Sequence, residues 1–386
     1  MRTYERTHPW IAFRADLASA PAQLWVLLGE CQSKCEHISR VPLRPDTAKE
    51  LHLLYLAKGV SATTAIEGNT LSEEQVRLHL EGQLKLPPSQ QYLQKEIDNI
   101  ITACNQTLEL INLDKITPLD RQRIQGLNSR VLEGLLLHDY VIPGKIRTYA
   151  VAVGPYQGAP AEDCEFLLEK LCAWLNGDEF SVRPGFEIVT AILKAVIAHL
   201  YMAWIHPFGD GNGRTARLIE FEILISSGVP APAAHLLSNH YNQTRSEYYR
   251  QLEQASKSGG NILPFITYAV QGFFDGLKAQ LERIWAQQWD ITWRNYVHEL
   301  FSKEHGKTAV RRRHLALDLS RQAQAVNLQE LATITPRIAK AYSTKTPKTL
   351  SRDINEIVKK GIVEKTDKGY RAKIEIIFSF LAPRAR

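Results

Sequence analysis

From residue 22 to about 303 the apolar side chains return at helical spacing almost without interruption, which commits most of this chain to a packing of helices. The pattern predicts helices over 22–38, 46–67, 90–112, 117–135, 161–176, 184–204, 212–227 and 243–257. A longer one runs from near Pro264 to about Lys303. Pro45-Asp46 opens the second of these and Gly68-Asn69 closes it. Ser72 ahead of Glu73-Glu74 reads as the cap of one more short helix, because its hydroxyl can accept from first-turn amides. One stretch breaks the pattern. Gly144-Lys145-Ile146-Arg147-Thr148-Tyr149-Ala150-Val151-Ala152-Val153-Gly154 is bounded by glycines and rich in β-branched residues, so a strand or short hairpin is expected there. The edge of an isolated hairpin can receive the backbone of a partner.

The last eighty residues differ in kind. From Gly306 onward there are 18 Lys+Arg against 7 Asp+Glu, an excess of +11, whereas residues 1–305 carry −5. A polar linker is expected over 306–330, with the run Arg311-Arg312-Arg313 and a helix around Leu315–Val326. Leu328–Ala341 reads as a helix with Pro336 in its path, and Thr346–Lys360 as a second, with Thr346 as cap and Pro347 at its first position. Ile362–Lys365, a turn at Asp367-Lys368-Gly369, and Tyr370–Phe380 then make a hairpin. Two helices followed by a hairpin is the order of a winged helix-turn-helix. Lys345, Lys348, Thr349 and Arg352 lie where a recognition helix would present them, and Lys365, Lys368, Arg371 and Lys373 lie on the wing. Duplex DNA is one partner for such a surface; the other reading is a winged helix used for protein contacts.

The five cysteines, Cys31, Cys35, Cys104, Cys164 and Cys172, are odd in number and sit in helical patterns, which favours buried thiols in a reducing compartment. Met1–Arg6 lacks the apolar core of a signal peptide, and the most apolar stretch, Ala191–Trp204, is interrupted by Lys194 and His199. It reads as a core helix too short to cross a bilayer, so a cytoplasmic protein with no membrane partner is expected.

Between two of the helices lies His206-Pro207-Phe208-Gly209-Asp210-Gly211-Asn212-Gly213-Arg214-Thr215-Ala216-Arg217. Glycines at a helix N-terminus let backbone N–H groups face an anion without obstruction. Arg214 and Arg217 project from the first turn on nearly the same side, against the helix dipole, and so require another partner. Phosphate oxygens suit guanidinium forks. Asp210 beside this cationic nest makes sense if Mg²⁺ bridges it to phosphates. His206 can accept a proton at neutral pH, where imidazole has an ordinary pKa of roughly 6.5.

The string matches the Fic-family motif His-Pro-Phe-x-(Asp/Glu)-Gly-Asn-Gly-Arg-x-x-Arg at every specified position, and the chain resembles that family over about residues 45–290. The resemblance implies a mainly α fold: a Fic helical bundle with a β-hairpin flap, to which the winged helix-turn-helix is added. Its expected organisation is an N-terminal helical region over 1–110 with an inhibitory helix at about 46–68. A Fic domain over 111–290, a connecting helix and linker over 291–327 and the winged helix over 328–386 follow. The implied activity transfers AMP from ATP to a protein hydroxyl. By the family pattern His206 is the catalytic base and Asp210 holds Mg²⁺. The run Gly211, Asn212, Gly213, Arg214, Thr215, Ala216 and Arg217 lies against the phosphates. Residues 144–154 resemble the flap that pairs with a target segment, and Val151, Ala152, Val153 and Gly154 line the nucleotide pocket. Glu247-Tyr248-Tyr249-Arg250-Gln251-Leu252 resembles the segment beside the adenine, its other reading being an amphipathic core helix. Ser256 stands where related proteins often carry Asn.

Thr63-Thr64-Ala65-Ile66-Glu67-Gly68-Asn69 resembles the family's inhibitory motif (Ser/Thr)-x-x-x-Glu-(Gly/Asn). What this implies is a brake, class II in that its helix precedes the Fic domain in the same chain, with Glu67 paired to Arg217 and ATP held non-productively. The same Glu67 can position a water for removing AMP, which leaves a hydrolase as an alternative. A DNA-binding regulator or toxin–antitoxin-like component, with the Fic domain as a nucleotide sensor, is a second alternative, and a homodimer is open.

Overall fold

The structure is a computed structural model that describes residues 1–378. It divides into two compact units, Met1–Leu281 and Glu282–Arg386.

The first unit is helical. Its elements are α1 (Thr3–Thr7), α2 (Ala22–Arg40), α3 (Pro45–Ala65), α4 (Glu73–Leu80), α5 (Gln91–Asn112) and α6 (Arg121–Val131). A hairpin of β1 (Ala152–Val153) and β2 (Tyr156–Gln157) follows, then α7 (Cys164–Leu175), α8 (Glu187–Ile205), α9 (Asn212–Ser226), α10 (Leu236–Gln243), α11 (Arg245–Lys257) and the start of α12 (Leu263–Leu300). Capping chemistry sets several boundaries. Ser72 accepts from the Gln75 amide and Gln75 reaches back to the Ser72 amide, a closed capping box. Asp120 accepts from the Arg123 amide at 2.7 Å and starts α6 later than the predicted 117. That helix also ends before 135, because the chain turns through Gly134 at φ +67°.

At the centre lies α8, packed against α9, α2 and α7. It is longer than its most apolar stretch suggests: 19 residues with a mean hydropathy of 1.8, enough by length and composition to cross a membrane. Burial rather than shortness marks it as a core helix, since 83% of that window is inside the protein. All five cysteines are buried in this unit, and desolvation pushes their thiols up, Cys31, Cys104 and Cys172 to about 12 and Cys164 to about 11.

The predicted hairpin over 144–154 is displaced. Only Ala152–Val153 is strand, paired antiparallel with Tyr156–Gln157 around Gly154-Pro155. Residues before it are pinned elsewhere: Ile146 bridges Phe208, and the Arg147 amide donates to the Pro207 carbonyl at 3.0 Å. The β-branched stretch therefore lies along the His206–Phe208 loop and only its end turns back on itself.

The second unit contains α13 (Lys307–Leu319), α14 (Pro336–Tyr342), α15 (Pro347–Lys359), β3 (Val363–Thr366) and β4 (Gly369–Ala372). Residues 307–319 are helix, not linker, because Leu315, Ala316 and Leu319 face this unit's core while Arg311 and Arg312 reach the buried Asp353. The helix expected over 328–341 is broken into a 3₁₀ turn at Glu330–Thr333 and α14. Thr335 caps α14 and Pro336 is its first residue, a place where a missing N–H is harmless. Tyr370 exchanges both backbone hydrogen bonds with Val326, so the hairpin gains a bridge to a third segment. Strand ends at Ala372, with a 3₁₀ turn at Ile374–Ile377; the part of the predicted strand at 379–380 lies outside the described residues.

Candidate active site

The His206–Arg217 string links the C-terminus of α8 to the N-terminus of α9. His206 ends α8 in the left-handed region (φ 49°, ψ 59°), a conformation unfavourable for a residue with a Cβ. A buried arginine holds it there. Arg147 donates from Nε to the His206 carbonyl at 2.7 Å, from Nη1 to Tyr149 O at 2.6 Å and from Nη2 to Ala159 O at 2.5 Å. Desolvation lowers the Arg147 pKa, and its charge together with burial lowers that of His206 to about 4. Burial is the larger cause; Glu67 and Asp210 pull the other way. The imidazole is therefore neutral at pH 7 and can take a proton.

Gly211, at φ +75°, turns the chain into α9. The Asn212 side chain closes the loop behind it, accepting from the Phe208 amide at 2.9 Å and donating to the Phe208 carbonyl at 2.8 Å. Its amide group is thereby engaged within the loop. Thr215 and Ala216 point into the core, and Thr215 Oγ1 accepts from Asn128 Nδ2 at 3.2 Å. Asn128 on α6 also donates to the Asp210 carbonyl at 2.9 Å and accepts from the Gly144 amide at 2.9 Å, so one side chain ties the loop to the start of the flap stretch.

Both arginines face carboxylates. Arg217, 1% exposed, donates from Nη2 to Glu67 Oε1 at 2.5 Å and to Thr63 O at 2.9 Å. A Cβ built on Gly213 would lie 2.2 Å from Glu67 Oε1, which places this carboxylate directly over the first turn of α9. Burial pushes the Glu67 carboxyl up, but Arg217, then Arg214 and His206, outweigh it and hold it below the usual carboxylate range. Arg214 contacts Glu96 Oε1 at 2.7 Å and Asp210 Oδ1 at 3.0 Å. Asn69, two residues past Glu67, donates to Glu96 Oε2 at 2.8 Å. The segment 67–69 thus touches both arginine systems.

The cradle retains capacity for an anion. Arg217 Nε and Nη1 and Arg214 Nε are buried with no hydrogen-bond partner among the described residues. Asp210, 47% exposed, is a solvent-facing carboxylate beside this cradle. Mg²⁺ is typically held by one or two carboxylates together with phosphates and water, so these residues fit it.

Tyr248 lies behind Arg217 in the core, with its hydroxyl 2.9 Å from His199 Nε2; His199 and Tyr241 in turn hold the buried Glu220. Tyr249 is 44% exposed and close enough to Glu67 to feel its charge. Ser256 is buried, its hydroxyl donating back to Glu253 O at 2.9 Å. Of the flap positions, Ala152, Val153 and Gly154 are exposed and Val151 is half-buried. Arg147, Asn128, Glu96 and Asn69 escaped sequence reasoning because their partners are distant in the chain. Gly154-Pro155 was a turn signal that could have located the hairpin.

Residues 118–224 match the Fic/DOC family. The chain is 32% identical over 246 residues to protein adenylyltransferase fic-1 of Caenorhabditis elegans, covering 61% of this chain and 44% of the relative. It is likewise 32% identical over 216 residues to protein adenylyltransferase Fic of Nematostella vectensis, covering 54% and 45%. The chain thus spans less than half the length of these curated relatives. Among solved structures, Fic-1 (residues 134–508) from C. elegans aligns with a TM-score of 0.53 at 26% identity, over 69% of this chain and 74% of that one. A Fic family protein from Desulfovibrio desulfuricans G20 aligns with a TM-score of 0.53 at 18% identity, over 91% and 95%, a likeness of fold. Motif, helical architecture and relatives agree on one domain: residues 118–224 of this chain carry a Fic domain.

Proposed function

We propose that the chain is a self-restrained protein adenylyltransferase, moving AMP from ATP to a Ser, Thr or Tyr hydroxyl of a target protein, and of itself, with release of pyrophosphate. The observation that carries this reading is a neutral imidazole, His206, beside a glycine-lined helix N-terminus whose two arginines keep buried N–H groups without partners. The curated relatives named above bear the same activity in their names. In this reading Gly211, Gly213, Arg214 and Arg217 hold the triphosphate. His206 takes the proton of the incoming hydroxyl as its oxygen bonds to the α-phosphorus, and the bond to the β-phosphate bridging oxygen breaks in line. Mg²⁺ at Asp210 would neutralise charge on the departing pyrophosphate. General-base help of this kind is worth about 10²–10⁴-fold. The target segment would pair with the exposed hairpin edge at Ala152–Val153, a mode tolerant of sequence.

Restraint comes from Glu67. Its carboxylate lies over Gly213 and on Arg217, in the space a terminal phosphate would need. Incubating purified variants with α-³²P-ATP tests both halves. Glu67→Gly is expected to raise label transfer, and His206→Ala to abolish it in either background. Unchanged transfer in Glu67→Gly would remove the brake; transfer surviving His206→Ala would remove the base. A second direction, hydrolytic removal of AMP, is favoured by the electrostatic reach between Glu67 and His206, and incubation of an AMP-modified protein with the unmutated chain reads it directly.

A further inference from the structure

We propose that the C-terminal unit binds duplex DNA, with α15 in the major groove and the β3–β4 turn on the adjoining backbone. In this unit a helix (α13) leads to the bridging segment at Val326, then α14, a short turn at Ser343–Thr346, α15, and the hairpin. That is the order helix, strand, helix, helix, two strands, which leaves the last helix and the hairpin turn exposed together.

The structure decides which of the many basic residues are available. Asp353, buried on α15, binds Arg311 at 2.7 Å and Arg312 at 2.8 Å and accepts from Tyr342 Oη at 3.0 Å, locking α13, α14 and α15 together. Arg337 pairs with the buried Asp318, and Arg371 with Glu364 and Glu375, both at 2.5 Å. Arg311, Arg312, Arg337 and the wing residue Arg371 therefore serve the fold. Lys345, Lys348, Arg352, Lys365 and Lys368 are all exposed, and none forms an ion pair among the described residues.

On α15 these groups are ordered. Lys348, Arg352, Asn355 and Lys359 recur at i, i+4, i+7 and i+11 and are exposed, while Leu350, Asp353, Ile354 and Ile357 fill the opposite, buried face. Of the helix's two acids, Asp353 is buried in the core and Glu356 is paired with Lys359 at the end of the stripe at 2.8 Å, which leaves Lys348 and Arg352 without a carboxylate partner among the described residues. A stripe of Lys, Arg and Asn with no free carboxylate matches the donors and acceptors that read base edges between phosphates, Arg to guanine and Asn to adenine. Lys365 lies near the end of β3 and Lys368 in the Asp367-Lys368 turn, exposed positions suited to phosphate contacts on the adjoining backbone.

The test uses the full chain and a fluorescent 20-base-pair duplex of mixed sequence, with anisotropy read across a salt series. Five cationic contacts predict a log–log salt slope of about −4.5, equivalent to about 500-fold weaker binding at 200 mM than at 50 mM salt. Lys365→Ala with Lys368→Ala should reduce the slope by about 2 without changing which sequence is preferred. Asn355→Ala should leave the slope intact and cut selected-site preference by about tenfold. Thermal melts of each variant confirm folding, because the substituted side chains are exposed. Lack of binding at low salt, binding untouched by Lys348→Glu with Arg352→Glu, or equal affinity for single-stranded DNA would each overturn the proposal. None of these outcomes depends on AMP transfer, so failure here and failure of the enzymatic reading are separable.

Discussion

At the residue scale, the catalytic candidate is defined by two departures from ordinary chemistry. His206 adopts a left-handed conformation, and its imidazole has a pKa of about 4. Arg147 underlies both. Its forked donors fix the carbonyls on either side of the turn, and its charge, added to burial, resists protonation of the ring. The sign of the pH effect follows. A folded pKa depressed below roughly 6.5 means the unfolded chain binds the proton first, so the stabilising contribution is full above that pH and is lost as pH falls towards about 4. The same depression keeps the proposed base neutral in mild acid. In Glu67→Gly, kcat/KM for ATP should therefore stay level down to about pH 5 and fall only below it, since this ratio reports groups of the free enzyme. Removing Glu67 deletes a charge that raises the His206 pKa, so the limb moves further to acid. A midpoint near 6.5 in a pH–rate profile would contradict this assignment.

At the element scale, the hairpin and the His206–Arg217 loop share a seam. Gly158 follows β2, and a Cβ built on it would come within 2.9 Å of His206 Cβ and 3.0 Å of Arg147 Nη2. Only glycine lets the strand return that close to His206. Gly158→Ala should displace His206 and lower kcat by about 10²-fold, the scale set by an ångström of misplacement, with KM for ATP little altered. Steady-state kinetics in the Glu67→Gly background separates the two parameters. This seam also marks the limit of what sequence reveals. The twelve-residue string was legible because base, carboxylate, glycines and arginines are adjacent in the chain, and Glu67 became legible through its motif. Helix periodicity placed α2, α3, α5, α8 and α9 to within a few residues. It missed α1 and α10, each of eight residues or fewer and too short to declare a period. The hairpin was misplaced because β-branched content marks extended backbone without saying what that backbone pairs with. Here it is Phe208, more than fifty residues away. Asn128, Glu96 and Asn69 have the same origin: their roles arise from partners that folding brings together.

At the scale of the whole molecule, the charge division between the acidic first 305 residues and the basic remainder coincides with two kinds of electrostatic economy. In the C-terminal unit, buried Asp318 and Asp353 are matched by arginines that the fold retains. In the first unit, Arg217 is held by a carboxylate lying where phosphate is proposed to bind. These pairings respond differently to loss of a partner. Removing Glu67 leaves a guanidinium 1% exposed without its paired carboxylate, and breaking a buried pair from one side costs about 3–5 kcal/mol, less here because Glu67 is 32% exposed and Glu220 also acts on Arg217. Glu67→Gly should therefore lower the apparent Tm in the absence of nucleotide. Mg²⁺-ATP then supplies the missing charge. At about 100 times Kd, linkage adds about 2.7 kcal/mol, or roughly 5–10 °C for a unit of this size. The unmutated chain already has an anion on Arg217 and should gain less than half of that shift. Melting curves of both forms with and without Mg²⁺-ATP read the difference. Equal shifts would mean that Glu67 and the triphosphate do not compete for the cradle, and the ion pair would then be a structural contact alone.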